Sequence, residues 1–336
     1  YMTWGNEAGG ALPGYKTPVC YATSVDGLKW ERPQFTHCPF QLQNPTDPDG
    51  PPREYPTNNI VFNLPSSADG MDSPTIVKDV RDPDPQRRYK MSYWHRLPTG
   101  TGIYHAHSPD GIHWTDVEHN PVLKKGGDVG HFSWDAHQKR YMATVKIWTT
   151  VPRLDGLRRC IGITATEDFE HWPHPELVLV PDEIDDRMYP GKSGVQFYGL
   201  SSFAYESGYI GFLWIFRTGS GGQIYVQLVS SRDGIAWTRA EPTDGMRPAA
   251  LPNGPDGSWD AGCIFSASHP LVEGDTIKLW YGAWDKDHRA PDPAITACVG
   301  LATLRKDGFA SLDAADKTGI VTTRLLKGLR GGLYVN

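Results

Sequence analysis

Short apolar and aromatic runs recur along almost the whole chain, each bounded by Gly, Pro, Asn or Asp. Tyr89-Lys-Met-Ser-Tyr-Trp94, Tyr141-Met-Ala-Thr-Val-Lys146 and the stretch from Ile224 to Val229 are examples. They are too short for helices and rich in β-branched and aromatic residues, so they predict strands.

The runs are ordered by a repeat. Ser24-Val-Asp26-Gly27-Leu-Lys-Trp30, Ser108-Pro-Asp110-Gly111-Ile-His-Trp114, Thr166-Glu-Asp168-Phe-Glu-His-Trp172 and Ser231-Arg-Asp233-Gly234-Ile-Ala-Trp237 share the form S/T-x-D-G-x-x-W, with Phe169 in place of Gly in the third; Arg305-Lys-Asp307-Gly308-Phe309 is a weaker copy. Each follows a strand-like run. The composition is that of a hairpin in which Asp and Gly take the turn, Ser or Thr caps it, and Trp packs back on the sheet. Upstream of each complete copy after the first stands a second hairpin, as in Thr75 to Lys78 turning into Tyr89 to Trp94, or Phe197 to Ala204 turning into Tyr209 to Phe216. Four strands per unit and five units predict an all-β, five-bladed β-propeller with four-stranded antiparallel blades over residues 1–316. The first blade is incomplete, with Tyr1 to Trp4 reading as its second strand. Residues 317–336 form a β-prone segment that closes the ring or begins a second domain.

Composition agrees: 36 Gly and 28 Pro supply turns, and 12 Trp, 15 Tyr and 11 Phe suit pleated surfaces. A net charge of −6 with interspersed signs leaves no basic face for nucleic acid. No run reaches the roughly 18 apolar residues of a membrane span. No signal peptide is legible, and an upstream segment is compatible with a chain beginning at Tyr1, so secreted or periplasmic localisation stays open. Five scattered cysteines fit neither a disulfide framework nor a zinc site and read mostly as buried thiols.

The architecture selects candidate chemistry. The first strand of a blade lines the channel, and its start shares a face with the end of the antiparallel second strand. That rule brings Asp72, Asp128 and Asp260 to one mouth with His95, Lys146, Trp148, Tyr198, Arg217, Trp284 and His288; Arg96 also falls there, and His131 lies one strand position deeper. Paired carboxylates with aromatic faces are what glycoside hydrolysis requires, whereas a Gly-flanked Asp on its own is equally well a turn residue. His131 and His288 are candidate substrate ligands, with hydrogen-bonded structure as the blander reading for each. Neither a metal nor a cofactor is implied by any ligand spacing.

Taken together, the five-unit pattern, the inner-strand Asp residues and the S-x-D-G-x-x-W hairpins resemble the five-bladed propeller glycoside hydrolases, the group of arabinanases, β-xylosidases, levanases and invertases. The resemblance implies that one Asp is base or nucleophile, a second tunes the acid, and a Glu donates the proton. Asp72 and Asp128 match the two Asp positions. The strand expected to carry the Glu begins Gln196-Phe-Tyr198 instead, leaving Glu183 and Glu54 as substitutes from loops. Arg81-Asp82-Pro83 resembles an invertase triplet but falls in the turn on the opposite face, where it reads as turn chemistry.

The expected activity is therefore glycosidase action on an oligosaccharide or polysaccharide chain end, without a nucleic-acid or membrane partner. The alternatives are a propeller glycoside phosphorylase using Arg96, Lys146 and Arg217 for phosphate, and a non-catalytic carbohydrate-binding propeller.

Overall fold

The computed structural model describes residues 2–3, 17–42, 47, 49–63, 71–97, 100–124, 126–219, 221–288, 290, 295–311 and 316–322. Apart from a 3-10 turn at Pro85–Arg87 and one helix, its regular structure is β. The first unit holds β1 (Met2–Thr3), β2 (Val19–Cys20), a hairpin of β3 (Phe40–Leu42) with β4 (Arg53–Tyr55), and β5 (Ile60–Phe62), in sheet order β1-β2-β5. The second is β6 (Asp72–Lys78), β7 (Tyr89–Leu97), β8 (Gly100–Ser108) and β9 (Thr115–Asp116); the third is β10 (Gly130–Asp135), β11 (Arg140–Thr150), β12 (Leu157–Thr166) and β13 (Glu176–Leu179), followed by helix α1 (Glu183–Met188). The fourth is β14 (Val195–Tyr205), β15 (Gly208–Arg217), β16 (Ile224–Ser231) and β17 (Trp237–Arg239). In the last, β18 (Cys263–Ser266) and β19 (Leu271–Glu273) share one edge of β20 (Thr276–Trp284), and β21 (Ala297–Arg305) takes the other.

Successive sheets pack face to face, so the core is layered between units. Trp94, Ile103, Phe132, Val145 and Trp172 fill the layer between the second and third; Ile161, Val195, Leu200, Leu213 and Ile215 fill that between the third and fourth. Inner strands also bond across units: Thr75 Oγ1 donates to Gly130 O at 3.2 Å, and Ser266 Oγ to Ser201 Oγ at 3.3 Å. This is the all-β propeller expected. Among the described residues the second and third units are separate four-stranded sheets; the fourth is joined to the last through the parallel pairing of Ile224 with Cys263 into one eight-stranded sheet, and the last unit has three strand positions because a break after Ser266 divides its first strand in two. Most of the tail expected to close the ring lies outside the described residues, as does Trp4.

The repeated hairpins explain why the sheets turn where they do. In the second unit Asp110 Oδ1 accepts from the backbone N–H groups of Ile112 and His113, both at 2.8 Å, and Gly111 takes φ 78°. The indole N–H of Trp114, Trp172 and Trp237 donates back to the carbonyl of residue 111, 169 or 234 at 3.1, 3.3 and 3.1 Å. Phe169 adopts φ 63° without being Gly; its ring is buried against His105, Phe132, Tyr141 and Trp172, which offsets the strain. The first copy differs. There Gly27 O accepts from Trp280 Nε1 of the last unit at 2.9 Å, and Trp30 packs edge-on against that ring from an exposed position. The first and last units are thereby joined.

Cys160 and Cys263 are buried, Cys20 and Cys38 half-buried and Cys298 exposed, so fewer thiols are enclosed than expected.

Candidate functional site

Antiparallel pairing sets Asp72 opposite Trp94, Gly130 opposite Val145, Val195 opposite Arg217 and Cys263 opposite Trp284. First-strand starts and second-strand ends therefore share a face, and on it the third, fourth and last units contribute to one cluster. Lys146 is buried; its ammonium is ion-paired with Asp128 and lies 4.0 Å from the centre of the Tyr198 ring. A buried cation of this kind is tolerated only when paired. Asp128 remains 35% exposed and open to water. The Tyr198 hydroxyl is 2.7 Å from His288 Nε2, and His288 donates its backbone N–H to Gly222 O at 3.0 Å. Phe216 stands edge-on to Tyr198 and 5.0 Å from the His288 ring.

Arg159 completes the cluster. It pairs with Trp148 across β11 and β12, and its guanidinium lies 4.2 Å from the Trp148 ring centre, 5.6 Å from Tyr198 and 5.4 Å from Phe216, while donating to Gln196 Oε1. The strand-direction rule extends to it, because third-strand starts share the face of second-strand ends; the Arg158-Arg159 doublet was the available signal. Trp148 is 51% exposed, a large aromatic face against which a sugar ring can stack.

A scaffold of ion pairs positions this cluster. Arg158 is bidentate on Asp186 at 3.0 and 2.8 Å and donates to Val195 O at 2.9 Å; Asp186 Oδ1 also accepts from Val195 N at 3.1 Å. Asp182 and Asp185 form a capping box on α1, and Asp185 receives Arg239 and Arg247. The helix is thus bolted to β12, β17 and the start of β14, from which Gln196 and Tyr198 project.

Of the other expected site residues, Trp284 packs against the apolar layer that holds Tyr198 and Phe216, and the rest lie in separate settings. Asp72 opens β6, half-buried, and is followed by Ser73 at φ 49°. Asp260 accepts from Ser258 Oγ at 2.8 Å and from the Tyr281 hydroxyl at 3.3 Å, contacts that keep it in its own loop and outside the Lys146 cluster. Burial and then the Asp260 charge raise the Tyr281 phenol. Trp284 packs on Phe265 at 4.9 Å. Arg217 lies over Tyr189 at 4.9 Å, on the sheet face opposite Phe216. His95 is buried edge-on to Tyr104. His131 is buried on β10, accepting from Ser202 N at 3.3 Å, with its ring 5.1 Å from His269; burial first and His269 second hold its pKa well below the usual range, so it is neutral. Glu54 bonds to Gln41 on an exposed hairpin, and Glu183 faces Arg153 at 4.0 Å from the exposed side of α1. Asp82 is ion-paired with Lys90 at 2.5 Å, and Arg81 covers Trp134 at 3.3 Å, so that triplet serves the turn and the unit boundary. Among the described residues, no three His, Cys, Asp or Glu side chains converge as a metal site, and no helix is long and apolar enough to cross a membrane.

No family model matches the chain. A curated relative, an A type blood N-acetyl-α-D-galactosamine deacetylase of Flavonifractor plautii, is 25% identical over 301 residues, covering 85% of this chain and 30% of that protein. The chain therefore spans less than a third of that relative's length. Among solved structures, one described as a glycoside hydrolase aligns with TM-score 0.54 at 12% identity over 89% of this chain and 81% of its own. The β-1,2-mannobiose phosphorylase of Listeria innocua aligns with TM-score 0.51 at 14% identity, over 88% and 69%. The chain thus shares the fold of sugar-cleaving hydrolases and phosphorylases.

Proposed function

We propose that this chain is a carbohydrate-active hydrolase that binds a sugar unit at the end of an oligosaccharide or polysaccharide in the mouth between its third, fourth and last units and cleaves the glycosidic bond there. The observation supporting the reading is the cluster itself: one hydrated carboxylate on a buried ammonium, a tyrosine–histidine pair, and an exposed tryptophan beside them. In this reading Asp128 is base or nucleophile, held by Lys146, and Asp72, outside the cluster at the start of the second unit's inner strand, which bonds to β10 through Thr75, supplies the second carboxyl group from that side. Trp148 carries the sugar face, and Tyr198, His288 and Arg159 orient its hydroxyls. Asp260 serves the rim. The narrower kinship with arabinanases and invertases belongs to this proposal.

A second reading, hydrolysis of an N-acetyl group, is favoured by one feature. Where a propeller glycosidase would place its acidic Glu stands Gln196, whose Oε1 accepts from Arg159 and whose amide has no acidic proton to give a leaving group. The deacetylase relative accords with it.

One assay separates the possibilities. The protein is incubated with aryl glycosides, polysaccharides and N-acetylated oligosaccharides, with and without inorganic phosphate, and reducing sugar, sugar phosphate and acetate are measured. Reducing sugar without phosphate dependence is expected, and Asp128→Asn and Asp72→Asn should each lower turnover by about 10²-fold or more. Acetate release alone establishes the second reading, and full activity in Asp128→Asn places the chemistry elsewhere.

A further inference from the structure

We infer that Gln196 is a specificity-determining residue of the mouth, presenting a fixed pair of N–H donors to an acceptor-only oxygen, a carbonyl or carboxylate, carried on the bound sugar. The inference rests on the reading that the mouth binds sugars, and it adds what the sugar must carry.

Gln196 is the second residue of β14, opposite Phe216, and is 4% exposed. The two ends of its amide are decided by chemistry. A guanidinium has only donors, so the atom facing Arg159 must be the amide oxygen, and the NH₂ group is the other end. That NH₂ group has no protein partner: the hydrogen bonds of Gln196 are those of the strand and the one from Arg159. A side chain this enclosed, anchored at its oxygen and with its NH₂ end left where water still reaches it, is poised for a ligand.

The surroundings choose the ligand's chemistry. A sugar hydroxyl accepts a hydrogen bond but also brings a proton that needs an acceptor. The side-chain partner of Gln196, Arg159, is a donor only; in the same cluster Lys146 is also a donor only, and it already engages the nearest oxygen of Asp128. An oxygen with lone pairs and no proton leaves nothing unpaired. Arg159, behind the amide and ringed by Trp148, Tyr198 and Phe216, polarises the amide so that its N–H groups donate more strongly.

The test is calorimetric titration of the wild-type chain, Gln196→Ala and the near-isosteric Gln196→Met with three probes sharing one ring configuration: N-acetylgalactosamine, galacturonate and galactose. Wild type should bind N-acetylgalactosamine or galacturonate about 10-fold more tightly than galactose, the effect of one well-made hydrogen bond to a buried donor; whichever is preferred identifies the oxygen as acyl or carboxylate. Both variants should lose that preference, with a smaller loss for galactose than for the preferred acylated or acidic sugar. Three results overturn the inference while leaving sugar binding intact: a preference that survives in both variants, no preference in wild type that binds galactose, or equal losses for every sugar in both variants, which would make Gln196 merely structural. A wild-type chain that binds none of the three, with no turnover in the assay above, overturns the sugar-binding reading and this inference together.

Discussion

His105 makes the stability of the ring depend on pH, with a sign and size that follow from its surroundings. Its ring stacks on Phe169 at 4.4 Å and meets Phe132 and Trp172 edge-on, and both ring nitrogens are enclosed without a hydrogen-bond partner. Burial, the largest influence, holds its pKa down to about 3. In the unfolded chain the imidazole returns to its ordinary value of about 6.5. Below that pH the unfolded state takes up a proton that the folded state refuses, so stability present above pH 6.5 is lost as pH falls toward 3. One proton is worth about 1.4 kcal/mol per pH unit, which gives roughly 2 kcal/mol between neutral pH and pH 5.

His105→Phe keeps an aromatic ring in the stack and removes the titrating group. Urea unfolding followed by tryptophan fluorescence at pH 7.5, 6 and 5 should show the variant gaining about 2 kcal/mol on wild type across that range. Any packing penalty from the larger ring shifts all three pH values alike and cancels in the difference. Buried, neutral His131 leaves a residual slope of the same sign, whereas the depressed hairpin carboxylates Asp110 and Asp168 titrate below the window. Parallel curves for variant and wild type would refute the reasoning.

Two further substitutions probe other levels of the structure. Trp172→Ala, at a ring 8% exposed, should cost about 3–5 kcal/mol, while Trp30→Ala, at a ring 49% exposed, should cost below about 1.5 kcal/mol; equal losses in urea denaturation would contradict the difference between the first hairpin and the rest. Asp186→Ala strips the buried Arg158 of its carboxylate and frees the start of β14. It should cost about 3–5 kcal/mol and weaken sugar binding measured by calorimetry; unchanged stability and affinity would show that α1 does not position the mouth.

The S/T-x-D-G-x-x-W hairpins and the strands before them were legible in the chain because each depends on contacts a few residues apart: an Asp oxygen on the next two amides, a Gly at positive φ, a Trp folding back on its own turn. Strand direction then followed, and with it the sharing of one face by Asp128, Lys146, Trp148 and Tyr198. Tertiary structure decided the remainder. It turned Trp30 outward because Trp280, 253 residues from Gly27, occupies the carbonyl that the other hairpins offer to their own Trp. It kept Asp260 with Ser258 and Tyr281, set His131 across unit boundaries against Ser202 and His269, and brought Arg159 onto Gln196. Each of these depends on how one unit packs against another. Local spacing fixes which face a side chain occupies, whereas its partner is fixed by packing between sheets distant in sequence.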